Sequence, residues 1–151
     1  KNGNVDLSRD EDLSIAIMNL ISLEEHFYFT AMKTSDQKYL DMLNSARNLR
    51  KELLKKIVIS PEGEEWCICK HLLAASMRLI EVGTKELDKG NKEEANAFFK
   101  SAFQLYSLFF AINLKMVKTE RLRDAENARD KGGIMQKFSE IVKKIVDCCK
   151  E

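Results

Sequence analysis

The sequence predicts an all-α fold, an antiparallel helical bundle of four main helices followed by a C-terminal fifth. Three observations carry that prediction. A single proline and six glycines in 151 residues leave room for long uninterrupted helices. Apolar residues recur at three-and-four spacing, which gathers them on one helix face, and the runs between them carry capping residues rather than the strict alternation of strands. With 44% hydrophobic and 32% charged residues the composition is that of a globular chain. Residues 1–151 fit one domain, which at this length buries roughly 68–70% of the surface its unfolded chain exposes.

Residues 1–7 are polar and expected to fray. Ser8-Arg9-Asp10-Glu11 has the serine and glutamate of a capping box, in which hydroxyl and carboxylate each satisfy an orphan N–H, so a first helix is expected there. Its apolar stripe runs Leu13, Ile17, Leu20, Ile21, Phe27 and Ala31, with Glu24 inside it. Thr34 and Gln37 repeat the capping spacing before a second helix, whose stripe through Leu40, Leu43, Ala46, Leu53 and Ile57 is interrupted by Arg47 and Arg50. The short turn between them packs the two helices antiparallel.

Ser60-Pro61 reads as an N-cap followed by a proline at the first helical position, with Glu62, Glu64 and Glu65 on the positive end of the helix dipole. A third helix is therefore expected to begin within a residue or two of Pro61 and to stop at Lys89-Gly90. Asn91 caps a fourth, whose expected buried face is Ala95, Phe98, Phe99, Ala102, Leu105, Tyr106, Phe109 and Met116, with Asn113 a polar exception. The charged run over 118–133 reads as an extension of that helix or a linker. Beyond Gly132-Gly133, Ile134, Phe138, Ile141, Val142, Ile145 and Cys149 form the stripe of the fifth helix.

Gly83, Gly90, Ala95, Phe99 and Ala102 fall at the spacings of the two glycines, the second-helix alanine, the phenylalanine and the next alanine of the tetratricopeptide repeat. Residues 79–107 thus resemble one partial repeat of that kind. Leu79, Glu86 and Ser107 stand where the repeat favours tryptophan, tyrosine and proline. The resemblance implies a tightly crossed helical hairpin and a binding scaffold with no chemistry of its own.

Net charge is +1, so no global field draws the chain to nucleic acid or an anionic membrane. No apolar run approaches the ~18 residues of a membrane span. Four cysteines in close pairs, Cys67/Cys69 and Cys148/Cys149, are too sparse for a disulfide scaffold, and the expected setting is the reducing cytoplasm. Two basic clusters, one from Arg47 to Lys56 and one from Lys115 to Arg123, are interleaved with acids, which disfavours nucleic acid as a partner.

Two constellations have chemical interest. Cys67 and His71 stand one helical turn apart and form a half-site for zinc or another transition metal, which needs a third or fourth ligand such as His26. Neither His26 nor His71 has a glutamate three residues before it, so the di-iron pattern is absent, as is a Cys-x-x-Cys motif. Glu24, Arg47 and Arg50 place charges in apolar stripes, which suits either a polar core or a small-anion pocket. The first expectation is a non-enzymatic scaffold or adaptor for a protein partner, with no cofactor. The alternative is a metal- or anion-binding bundle using Cys67/His71 or Glu24/Arg47/Arg50, and the third an RNA-associated protein. The apolar face of the fifth helix is where a homodimer would close.

Overall fold

The computed structural model describes residues 7–116, which form four helices: α1 (Ser8–Thr34), α2 (Gln37–Leu54), α3 (Glu65–Asp88) and α4 (Lys92–Asn113). No strand occurs among these residues. The expected fifth helix, the charged run over 118–133, Cys148 and Cys149 lie outside them.

The helices form two hairpins, α1 with α2 and α3 with α4, joined chiefly where α1 meets α3. Each hairpin turn is short because the chain is reversed at a left-handed residue. Ser35 (φ 54°) donates its N–H to the Ala31 carbonyl at the end of α1, and Gly90 (φ 82°) follows α3. At Gly90 the missing Cβ is what makes the conformation inexpensive. Small residues lie where the hairpins close, Ala31 and Ala46 in the first and Ala95 and Ala102 in the second, all buried.

Three helix boundaries differ from the sequence reading, each for a local reason. The cap of α2 is Asp36 rather than Thr34. Its carboxylate accepts the Lys38 N–H at 3.0 Å, whereas Thr34 remains inside α1 and donates its hydroxyl to the Thr30 carbonyl. α3 starts at Glu65 instead of beside Pro61, because Ser60 (φ 50°) and Gly63 (φ 54°) are both left-handed and spend residues 60–64 on a turn. α4 stops at Asn113. Lys115 is left-handed (φ 56°), and the N–H groups of Lys115 and Met116 return to the carbonyls of Ile112 and Ala111, so the chain turns off the helix before the charged run begins.

The hydrophobic core sits at one end of the molecule, where the start of α1, the end of α2, the start of α3 and the end of α4 converge. Leu7, Ile17, Ile21, Leu54, Leu73 and Phe109 are among its buried members, and Ile57 and Val58, in the turn after α2, complete it. Phe109 and Phe110 are fully enclosed and meet edge to face at 5.2 Å, with Tyr106 edge-on to Phe110 at 5.1 Å. Burying each such ring contributes about 1.5–3 kcal/mol. The opposite end, where both hairpins turn, has no comparable core: its buried residues are the alanines and Gly83 of the individual hairpins.

Candidate functional site

The second hairpin closes by direct contact of a glycine with an aromatic ring. A Cβ placed on Gly83 would stand 2.5 Å from Cε1 and 2.7 Å from Cδ1 of Phe99, inside any van der Waals contact. Glycine is therefore required by the approach of α4 to α3. Gly83 and Phe99 are two of the positions on which the likeness to a tetratricopeptide hairpin rests.

The polar residues of the first hairpin are sorted by helix geometry. Ala46, Arg50 and Leu54 recur every four residues and are all buried, so Arg50 enters the interior with them. Its guanidinium donates twice to one carboxylate, Nε to Glu24 Oε1 at 2.7 Å and Nη2 to Oε2 at 3.1 Å. Arg47, rotated about 100° per residue away from Ala46 on the helix, is exposed. Both oxygens of Glu24 thus face Arg50, and the second arginine takes no place beside them.

The sequence-predicted metal ligands are dispersed. Cys67 and His71 are exposed on the first turns of α3, and His26 is exposed on α1 with its ring against Phe27 at 6.2 Å between centroids. Among the described residues no group of three or more His, Cys, Asp or Glu is gathered to hold an ion. Cys69 is fully buried, and burial, reinforced by the nearby Glu65 charge and opposed by Lys115, pushes its thiol up to about 12. It stays protonated and packs as a small apolar side chain.

One polar cluster has no counterpart in the sequence reading. Glu65, buried at the head of α3, receives the Lys115 ammonium at 2.6 Å and the Glu62 N–H at 3.0 Å. Burial alone raises the Glu65 carboxyl, but the Lys115 hydrogen bond, the Glu62 N–H and the Lys115 charge together outweigh it and hold the group below its ordinary range. The pair ties the turn after α4 to the head of α3. Fifty positions separate the partners, beyond any local spacing rule. Ser14 and Tyr106 tie α1 to α4 in a similar way. The serine hydroxyl donates to the Glu11 carbonyl, which leaves the Tyr106 hydroxyl to donate to Ser14 at 2.6 Å.

The remaining feature is apolar. Tyr28 stands eleven residues, close to three turns, past the buried Ile17, and Met32 the same distance past Ile21. Both therefore prolong the core-facing stripe of α1, yet Tyr28 is 48% and Met32 57% exposed. On α3, Ile80 and Leu87 stand seven and fourteen residues past the buried Leu73 and are 38% and 47% exposed. The boundary between covered and uncovered stripe is polar: Arg78 of α3 donates to the Ser22 hydroxyl at 2.8 Å and faces the Glu25 carboxylate at 3.7 Å. Beyond it, at the tip of the first hairpin, Ala31, Met32 and Leu40 line an open hollow rimmed by Ser35, Asp36 and Gln37.

Comparison with known proteins finds no matching family model, no matching curated protein and no matching solved structure. No helix among the described residues is long and apolar enough to cross a membrane. The likeness of residues 79–107 to a tetratricopeptide repeat is one of residue spacing.

Proposed function

We propose that the protein is a helical scaffold that binds a helical segment of a protein partner along the uncovered stripes of α1 and α3. The observation that carries this reading is the continuation of two core stripes into solvent as Tyr28 and Met32 on one helix and Ile80 and Leu87 on the other. Scattered apolar residues on a surface need no explanation, whereas residues that continue a core-facing stripe past its cover, on each of two helices that meet, mark a directed apolar face. An amphipathic helix reads such a surface through anchors at i, i+3, i+4 and i+7. The aromatic ring of Tyr28 and the adaptable thioether of Met32 are side chains that supply much contact area to an entering helix, and the hollow beside Met32 offers a seat for one anchor.

The test changes the surface without touching the core. Full chains carrying Tyr28→Lys/Met32→Glu, and separately Met42→Glu as a control at another exposed methionine, serve as baits beside the parent chain. The expected result is a bound protein, crosslinked to peptides of α1 or α3, that the double variant loses and the control retains. Identical crosslinked sets for all three chains would refute the reading.

A further inference from the structure

We infer that the partner helix is acidic along one edge, carrying two Asp or Glu residues four apart that meet Arg47 and Lys51 of α2. This rests on the partner-binding reading and adds the chemistry by which that surface selects its ligand. The hollow at the tip of the first hairpin is lined by Met32 of α1 and Leu40 of α2. The line of α2 that carries Leu40 therefore opens on the same side as the uncovered stripe of α1.

Leu40, Asn44, Arg47 and Lys51 are spaced i, i+4, i+7 and i+11, a single line along three turns of α2, about 16 Å long. Lys55 prolongs it by one turn. Charge on this line has one sign. Asp41 and Glu52, the acidic residues of α2, each follow a member of the line by one residue and so stand about 100° off it. Arg47, Lys51 and Lys55 form no ion pair among the described residues, and the nearby Glu24 carboxylate is held through both oxygens by Arg50. Arg47 also stands two turns before the end of α2, beyond the last turn over which the helix dipole would stabilise a cation.

An apolar stripe bordered by a row of unpaired cations fits an amphipathic helix with apolar anchors on one face and acids on the adjoining edge. Arg47 and Lys51 are about 6 Å apart along the axis, so carboxylates at i and i+4 of a helix lying alongside come into register with both. A short row of cations on a chain of net charge +1 favours a discrete acidic partner over a phosphate backbone.

Two synthetic helical peptides test the inference on the full chain. They share leucine anchors at i, i+3, i+4 and i+7 and differ only at two edge positions four apart, Glu in one and Lys in the other. Fluorescence anisotropy at low ionic strength is expected to give the Glu peptide a roughly 10-fold lower Kd, from two ion pairs gained and two like-charge contacts avoided. The preference should shrink to about 2-fold or less in 1 M salt, where the screening length is about 3 Å. In the Arg47→Glu/Lys51→Glu chain it should reverse, whereas Lys92→Glu/Lys100→Glu, an equal change of charge on α4, should leave it in place. The Tyr28→Lys/Met32→Glu chain should lose both peptides.

Equal affinity for the two peptides, a preference for the Lys peptide in the parent chain, or a preference that survives the reversal at Arg47 and Lys51 overturns the inference while partner binding stands. Peptides that still bind the Tyr28→Lys/Met32→Glu chain sit elsewhere and overturn it as well. Binding of neither peptide removes the inference together with the partner reading. A single-stranded RNA that displaces the Glu peptide from the parent chain, and fails to bind the Arg47→Glu/Lys51→Glu chain, assigns the cations to phosphate and overturns the acidic helix.

Discussion

The contact between Gly83 and Phe99 predicts a substitution whose sign depends on its background. Gly83→Ala places a methyl group 2.5 Å from the Phe99 ring edge. In the middle of a helix alanine is favoured over glycine by about 0.5–1 kcal/mol, whereas overpacking at a crossing costs roughly 1–3 kcal/mol. The overlap is with ring carbons that can move only by separating α4 from α3 or by swinging the ring outward, so the cost is expected to exceed the gain. A net loss of about 1–2 kcal/mol follows, or roughly 3–6 °C in Tm for a chain of this size. With Phe99→Ala in place the obstacle is gone, and Gly83→Ala should stabilise by about 0.5–1 kcal/mol. Urea denaturation of the four chains of this cycle measures a coupling of about 2 kcal/mol. A coupling under ~0.5 kcal/mol, the level of independent sites, would refute the argument that the ring dictates the glycine.

Arg50→Met, which leaves the Glu24 carboxylate without its bidentate partner, should cost about 3–5 kcal/mol, while Glu24→Leu/Arg50→Met recovers most of that loss; Arg47→Ala, at an exposed position, should change stability by no more than ~0.5 kcal/mol. Similar unfolding midpoints for the Arg50 and Arg47 variants would refute the assignment of the buried pair. The Glu65 carboxyl titrates below its ordinary 4.5 when folded, so its contribution is present above that pH and is lost as pH falls through the folded value. Lys115 is raised above 10.5, first by its hydrogen bond to Glu65, so its contribution holds below 10.5 and is lost as pH rises through the raised value. Denaturant midpoints measured at pH 7 and pH 3 should therefore differ less for Glu65→Gln than for the parent chain, and equal acid sensitivity would remove Glu65 from the account.

The all-helical fold and the positions of four helices were legible because apolar period and turn chemistry are local properties. Gly90 and the turn between α1 and α2 are readable for the same reason. Errors at Ser60 and Thr34 share a cause: each residue type is a competent cap, but its role depends on where the neighbouring turn places its φ, and at Ser60 the left-handed backbone rules out a cap. Arg50 and Arg47 were equivalent in sequence, since both interrupt the stripe of α2. Only the buried line of Ala46, Arg50 and Leu54 separates the one that meets Glu24 from the one that meets water. Glu65 and Lys115 could not be paired in advance, because their approach is a consequence of how the two ends of the second hairpin close.

A different kind of signal was missed on α1. The stripe read from sequence ended on Phe27 and Ala31, and Ala31 is buried in the first hairpin. Reading one stripe per helix assumes one neighbour, but α1 has two, α2 along one side and the second hairpin along another. Ile17 and Ile21 belong to the second of these sides, and its continuation through Tyr28 and Met32 follows from the same 100° per residue that defined the first. Periodicity can say which residues share a face; it cannot say how far along the helix a neighbour extends. Here the covering hairpin is joined to α1 by polar contacts at Ser22 and Glu25, whereas the face itself runs on to Met32. That difference in length between an apolar face and its cover is the observation on which the proposed binding surface rests, whereas the alternative of a metal site at Cys67 and His71 finds no third ligand gathered beside them among the described residues.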